Sequence, residues 1–96
     1  MSTRRPRYRY IAFRVDGPRA FSADEVLEAF RASPGRPWLV GFEGSLGLAR
    51  TTHLMKDAAI QALVRIDSVG GARVVVTTLG TSGTIRKATA KYLRRR

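Results

Sequence analysis

The sequence predicts a single α+β domain whose elements follow the order β-α-β-β-α-β, with one more helix at the C-terminus. Three observations support this order: an alternating apolar row near the N-terminus, a helix start with a complete capping pattern, and a β-branched run after a glycine pair. The length of 96 residues fits one domain, and a hydrophobic content of 44% is enough for one core. We therefore expect one domain over residues 1–96, with residues 1–5 and 94–96 flexible.

The first strand is predicted by the segment RPRYRYIAFRV, because its side chains alternate between two faces. The apolar row from Ile11 to Val15 is expected to face the helices. Tyr8, Tyr10 and Arg14 lie on the opposite row. This row either packs under the C-terminal helix or forms an open surface for stacking and phosphate contacts, and the spacing alone does not choose between the two.

The first helix is predicted by FSADEVLEAFRAS, which begins with an N-terminal capping pattern. Ser22 is the expected N-cap and Glu25 follows three residues later, which makes a capping box. Phe21 and Val26 fit the hydrophobic staple that flanks such a box. The SPGRP segment is expected to end the helix.

The central part of the chain predicts a hairpin and a second helix. WLVGFEG and SLGLART are expected to be short strands joined around Gly44-Ser45. The helix is expected from about His53 to Ser68, with Thr51 or Thr52 as its cap. Gly70-Gly71 is expected to end it as a left-handed C-cap.

The last part predicts a strand over ARVVVTTLG, a turn at TSG and a helix from Thr84 to about Leu93. Ile85, Ala88 and Tyr92 share one side of that helix, and Ile85 is expected to anchor it inward. The complete order is that of a ferredoxin-like (RRM-like) split βαβ sandwich: a four-stranded antiparallel sheet, two helices on one face and a C-terminal helix.

The charge of the chain is strongly positive, with a formal net charge of +11 and no acidic residue after Asp67. Such an excess of positive charge predicts attraction to polyanions. The chain has 15 arginines, whose planar guanidinium groups match the geometry of phosphate. The absence of cysteine excludes disulfides and zinc ribbons. No apolar run approaches the ~20 residues of a membrane span, and no signal-peptide core follows the basic start, so we expect a cytoplasmic protein without membrane contact.

Catalysis by this chain alone is not expected. His53 is its one histidine, and its seven carboxylates are spread along the sequence. The glycines match neither a Walker loop nor a dinucleotide fingerprint. We expect no catalytic residue, metal site or cofactor in the protein itself, which argues against a metabolic enzyme or ligand sensor of the same fold.

The TSGT turn has two interpretations. Ser82 or Thr84 caps the last helix, or the helix N-terminus opened by Gly83 holds a phosphate with help from Arg86 and Lys87. Together with the basic first strand, this turn supplies the predicted RNA-binding residues: Arg7, Tyr8, Arg9, Tyr10, Arg14, Ser82, Gly83, Thr84, Arg86, Lys87 and Lys91.

A family resemblance rests on these same segments. LGTSGTIRKATAK, Leu79 to Lys91, resembles the C-terminal signature of component two of archaeal and eukaryal ribonuclease P. RYRYIAFRV resembles the family's first strand, and the GGARVVVTTLG segment its last strand. Between Ala32 and Leu54 the family usually carries more residues. Ala88 stands where many members have cysteine, so no thiol role carries over.

The resemblance implies a non-catalytic subunit that supports an RNA, which itself removes the 5′ leader from precursor tRNA with Mg²⁺. The implied partners are ribonuclease P RNA and component three, a TIM-barrel-like protein, commonly in a heterotetramer. A homodimer is the alternative assembly. We expect component three at a hydrophobic sheet edge from Trp38 to Phe42. The alternative function is an independent RNA-binding module such as a ribosomal protein.

Overall fold

The computed structural model describes residues 7–33 and 37–92, so the ends predicted to be flexible lie outside the described residues. The predicted α+β class and element order are confirmed, with one short hairpin added before the last long strand. The elements are β1 (Tyr8–Asp16), α1 (Ala23–Arg31), β2 (Trp38–Glu43), β3 (Leu46–Thr52), α2 (Lys56–Arg65), β4 (Ser68–Val69), β5 (Ala72–Arg73), β6 (Val75–Ser82) and α3 (Ile85–Tyr92).

The main sheet has the strand order β2-β3-β1-β6, and all its neighbouring strands are antiparallel. This is the order of the ferredoxin-like split βαβ fold, which confirms the predicted architecture. β1 is central and pairs with β3 from Tyr8 opposite Thr52 to Arg14 opposite Leu46. The N-terminal strand β1 therefore lies inside the sheet between β3 and β6, while β2 and β6 form the edges of the sheet.

The main core lies between the sheet and the helices α1 and α2. Phe13 is fully buried, and its ring centroid lies 5.7 Å from that of Phe30 and 6.2 Å from that of Phe42. Phe13 pairs with Gly47 on β3, where an added Cβ would overlap the phenylalanine ring. The predicted apolar row of β1 is buried in this core, as its alternation required.

The start of α1 confirms the predicted capping box. The backbone N–H of Glu25 donates to Ser22 Oγ at 3.2 Å, and the Glu25 carboxylate accepts from the backbone N–H of Ser22 at 3.0 Å. Phe21 and Val26 are both buried beside it. Arg19 adds an ion pair to Glu25 at 2.7 Å and also donates to the carbonyl of Gly70 at 3.1 Å, so this start is tied to the β4–β5 turn.

Acid should weaken the ion pair between Arg19 and Glu25. The hydrogen bond from Arg19, followed by that from the Ser22 backbone, lowers the pKa of Glu25 from 4.5 to about 2. Because the folded-state pKa is the lower one, the stabilisation is complete above the unfolded value of 4.5 and is lost as pH falls from 4.5 towards 2. We expect Glu25→Gln to lower the melting temperature at pH 6 and to lose that effect near pH 2.

Thermal melts at several pH values test this expectation. Glu28→Gln on the same helix is the matched control, since the Glu28 carboxylate contacts Arg31 on the helix surface and should contribute little. A deficit of Glu25→Gln that stays constant between pH 6 and pH 2 would show that the ion pair does not stabilise the fold.

The start of α2 differs from the prediction. The helix begins at Lys56 and not at His53, because the preceding residues remain bonded to β1. Thr52 pairs with Tyr8, and the backbone N–H of His53 donates to the carbonyl of Arg7 at 2.7 Å. Neither Thr51 nor Thr52 is the N-cap, which is Met55 without a side-chain cap bond.

The role predicted for Gly70-Gly71 is wrong. Both glycines have positive φ, 55° and 81°, but they form the two-residue turn between β4 and β5 instead of a helix C-cap. α2 has already ended at Arg65. The predicted strand over residues 72–80 is accordingly split, since its first two residues belong to this hairpin and β6 begins at Val75.

The second face of the sheet is covered in its middle by α3. Ala88 is fully buried against Ala12 and Leu48, and Tyr92 packs against the same cluster. An added Cβ at Gly80 would overlap the Tyr92 ring, so the helix lies close to the strand there. The Tyr8–Tyr10–Arg14 row is therefore divided between the two interpretations: Tyr10 packs beside α3, whereas Tyr8 and Arg14 are exposed.

The inward role predicted for Ile85 is also wrong. Its side chain is 45% exposed, because α3 docks through Ala88 and Tyr92 while its first turn stands off the sheet. The space left there is a cavity of about 440 Å³, which Ile85 lines together with Val40 and Leu48.

Candidate nucleic-acid interface

The pairing of β1 with β6 brings the two predicted RNA-binding segments together. Tyr10 lies opposite Ser82 in the register, so the basic first strand adjoins the TSGT turn although the two are far apart in the chain. This proximity follows from the central position of β1. It gives one connected surface from the N-terminal part of β1 to the first turn of α3.

The TSGT turn has the geometry of a capped helix start. Thr84 is the cap, since its Oγ1 accepts the backbone N–H of Lys87 at 3.1 Å. Ser82 does not cap the helix and is the last residue of β6. Gly83 is not among the glycines with positive φ, and a methyl group added there would meet no atom within 4 Å. Its predicted importance therefore depends on close approach of a ligand and not on backbone conformation.

The cations that follow the turn are available to a ligand. Arg86, Lys87 and Lys91 are exposed, and none takes part in the ion pairs found between described residues. Lys91 Nζ lies 5.5 Å from the centroid of the Tyr92 ring. The positive end of the helix dipole adds to the charge of the first two cations, so this corner favours a phosphate.

The cations of β1 occupy different environments. Arg7 is exposed, and Arg9 is half-buried and donates to the carbonyl of Tyr8 at 3.1 Å. Arg14 pairs with Asp16 at 2.9 Å, which offsets its charge. Arg14 is therefore a weaker candidate for phosphate contact than the sequence alone indicated.

An arginine between two aromatic rings lies on the same face of the sheet, where Tyr10 pairs with Arg50 on one side and with Ser82 on the other. The Arg50 Cζ atom is 4.6 Å from the Tyr8 ring centroid and 5.0 Å from that of Trp38. We call Tyr8, Arg50 and Trp38 the aromatic–arginine cluster. Tyr8 was predicted as a site residue, whereas Arg50 was missed. Its alternation with buried Ala49 places it on the face of Tyr8, but the cross-strand register was needed to join it to Trp38.

Within residues 7–33 and 37–92, no group of three or more His, Cys, Asp or Glu side chains is arranged to hold a metal ion. Over the same residues, no helix has the length and apolar character that crossing a membrane requires.

The chain is similar to known proteins over most of its length. Residues 36–93 match the model of the Rpp14/Pop5 family. Ribonuclease P protein component 2 of Thermococcus kodakarensis is 31% identical over 104 residues, which cover 95% of this chain and 87% of the relative. The protein of the same name from Archaeoglobus fulgidus is 37% identical over 101 residues, covering 93% of this chain and 91% of the relative.

Proposed function

Because this chain belongs to the Rpp14/Pop5 family, we propose that it works as a protein subunit of ribonuclease P, where it binds and supports the catalytic RNA. In this role the RNA removes the 5′ leader from precursor tRNA. The observation that carries the proposal is the β1–β6 pairing. It joins the basic first strand to a capped helix start with exposed cations, on a chain of net charge +11.

The chain's own contribution in this proposal is electrostatic and positional. Folded RNA brings phosphates close together, and exposed Arg86 and Lys87 lower that repulsion. The backbone N–H groups at the start of α3 orient one phosphate, and Thr84 keeps that turn in place through its bond to the Lys87 N–H.

Cleavage itself is assigned to the RNA, which uses Mg²⁺ that the protein does not bind. His53 lies exposed directly after β3, with Nδ1 3.2 Å from the backbone nitrogen of Arg7. Asp16, Glu25 and Glu28 are held in ion pairs with arginines. These groups are spread over the molecule and do not form a constellation of nucleophile, base and acid.

The proposed protein partner is component three, in a heterotetramer in the cytoplasm, and a homodimer of this chain is the alternative assembly. The proposed contact for component three is residues 40–43 of the edge strand β2 together with the cavity under the first turn of α3. Val40 is 44% exposed there, and Ile85 contributes further apolar surface. An edge strand also offers unpaired backbone groups to a partner.

The test is capture of the tagged full chain from an extract of its own cells, followed by sequencing of the bound RNA and identification of bound protein. We expect ribonuclease P RNA together with component three. Recovery of ribosomal RNA alone would contradict the proposal and support the alternative of an independent RNA-binding module.

A further inference from the structure

The aromatic–arginine cluster lies on the face of the sheet that α3 partly covers. Trp38 and Arg50 are directly opposite each other on β2 and β3, and Arg50 is opposite Tyr10 on β1. Tyr8 lies one step further along the same row, so the cluster crosses three strands. Trp38 is 59% exposed and Tyr8 is 41% exposed, which leaves large ring surfaces open to solvent.

The position of Arg50 is held by the rings and not by a carboxylate. It is absent from the ion pairs between described residues, and its Nε is buried without a hydrogen-bond partner among them. No ion pair between described residues therefore offsets its charge. Contact with two rings already restricts the Arg50 side chain, so less conformational entropy is lost when this side chain binds a ligand.

We propose that the aromatic–arginine cluster stacks an unpaired base of single-stranded RNA, with Trp38 as the main platform and Arg50 contacting the adjacent phosphate. This proposal rests on the proposed function and assigns the base to the RNA component of the complex. Open aromatic rings beside a free cation are the combination used for unpaired nucleic acid, because every base has a π-face and every linkage a phosphate. A positively charged chain with no acidic side chain paired to the cluster's arginine suits this occupant better than it suits a basic protein surface.

Trp38 is the only tryptophan of the chain, so its fluorescence reports directly on the cluster. The probe is a single-stranded RNA of about ten nucleotides, within the usual site sizes for such surfaces, compared with a duplex of the same sequence. We expect the single strand to quench the fluorescence and to bind more tightly than the duplex. Trp38→Ala, followed by fluorescence anisotropy of labelled RNA, should weaken single-strand binding by about 5- to 150-fold.

The variants separate stacking from charge. Trp38→Phe and Tyr8→Phe keep a ring and should retain most of the affinity. Arg50→Lys keeps the charge but loses the planar stack, so it should weaken binding. Val75→Ala is the matched control, because Val75 is 64% exposed on the other edge strand, β6, and should change nothing.

The outcomes also distinguish this proposal from the proposed function. If Trp38→Ala binds both RNAs like the wild type, the stacking proposal is wrong while RNA binding by the chain stands. If the wild-type chain binds ribonuclease P RNA but neither short RNA, the stacking proposal is wrong; if it binds none of the three RNAs, the proposed function itself fails. Two further results would contradict the assignment of the cluster to the RNA component. One is quenching of Trp38 fluorescence by component three while the single-stranded RNA is excluded. The other is a binding defect of Trp38→Ala that appears only when precursor tRNA is added to the RNA component.

Discussion

Phe13→Ala is expected to lower the free energy of unfolding by about 3–5 kcal/mol, the usual loss for a buried aromatic side chain. Phe13 is fully buried at the centre of β1 and contacts rings from both α1 and β2. Its removal leaves a cavity where the helical layer meets the sheet. Since a domain of this size has a total stability of roughly 5–15 kcal/mol, the variant should be close to unfolding at moderate temperature.

Urea denaturation at 25 °C measures this loss, with Val75→Ala as an exposed control expected to stay within about 0.5 kcal/mol of the wild type. A second substitution tests the packing more closely. Gly47→Ala should cost about 1–3 kcal/mol in the wild type, because its Cβ overlaps the Phe13 ring. The same change should cost less in the Phe13→Ala background. Equal costs in both backgrounds would mean that Phe13 and Gly47 do not pack as described.

Arg86→Ala is expected to weaken binding of ribonuclease P RNA by about 1.5–3 kcal/mol, or roughly 10- to 150-fold, the range for a charge-assisted bond. Arg86 is exposed in the first turn of α3, beside the Thr84 cap, and no described carboxylate neutralises it. The Arg86→Ala variant should have the melting temperature of the wild type, because the Arg86 side chain makes no core contact.

Arg65→Ala is the matched control for charge. Arg65 is also an exposed helical arginine, but it ends α2 on the opposite side of the sheet. Filter-binding titrations at two salt concentrations should show a small, salt-sensitive loss for Arg65→Ala and a larger loss for Arg86→Ala that persists at the higher salt. Equal losses for both variants would mean that only the net charge matters and that the turn is not a phosphate site.

The features that the sequence predicted correctly are those decided by near neighbours. The capping box depends on Ser22 and Glu25, three residues apart, and the alternation of β1 depends on adjacent side chains. The fold class followed from such local signals because the chain order of the elements restricts the possible sheets. The capped turn before α3 was predicted by the same kind of reasoning, with Thr84 and not Ser82 as its cap.

The features that were missed depend on pairing between distant strands. Thr52 stays in β3 because it pairs with Tyr8, so a helix start that looked suitable locally was displaced to Lys56. The cluster of Trp38 with Arg50 depends on a register that shifts between Leu39 and Gly41. The sequence pattern shows no such bulge, because it gives the face of each side chain but not its partner across the sheet.

In the proposed function, this chain supports a catalytic RNA and is not itself the catalyst. The most direct measurement is the rate of precursor-tRNA cleavage by ribonuclease P RNA and component three at limiting Mg²⁺, with and without this chain. We expect the chain to raise the rate or to lower the Mg²⁺ concentration required, and to cleave nothing when the RNA is left out. Mg²⁺-dependent cleavage by the purified, RNA-free protein, or a rate that does not change when the chain is added, would contradict the claim.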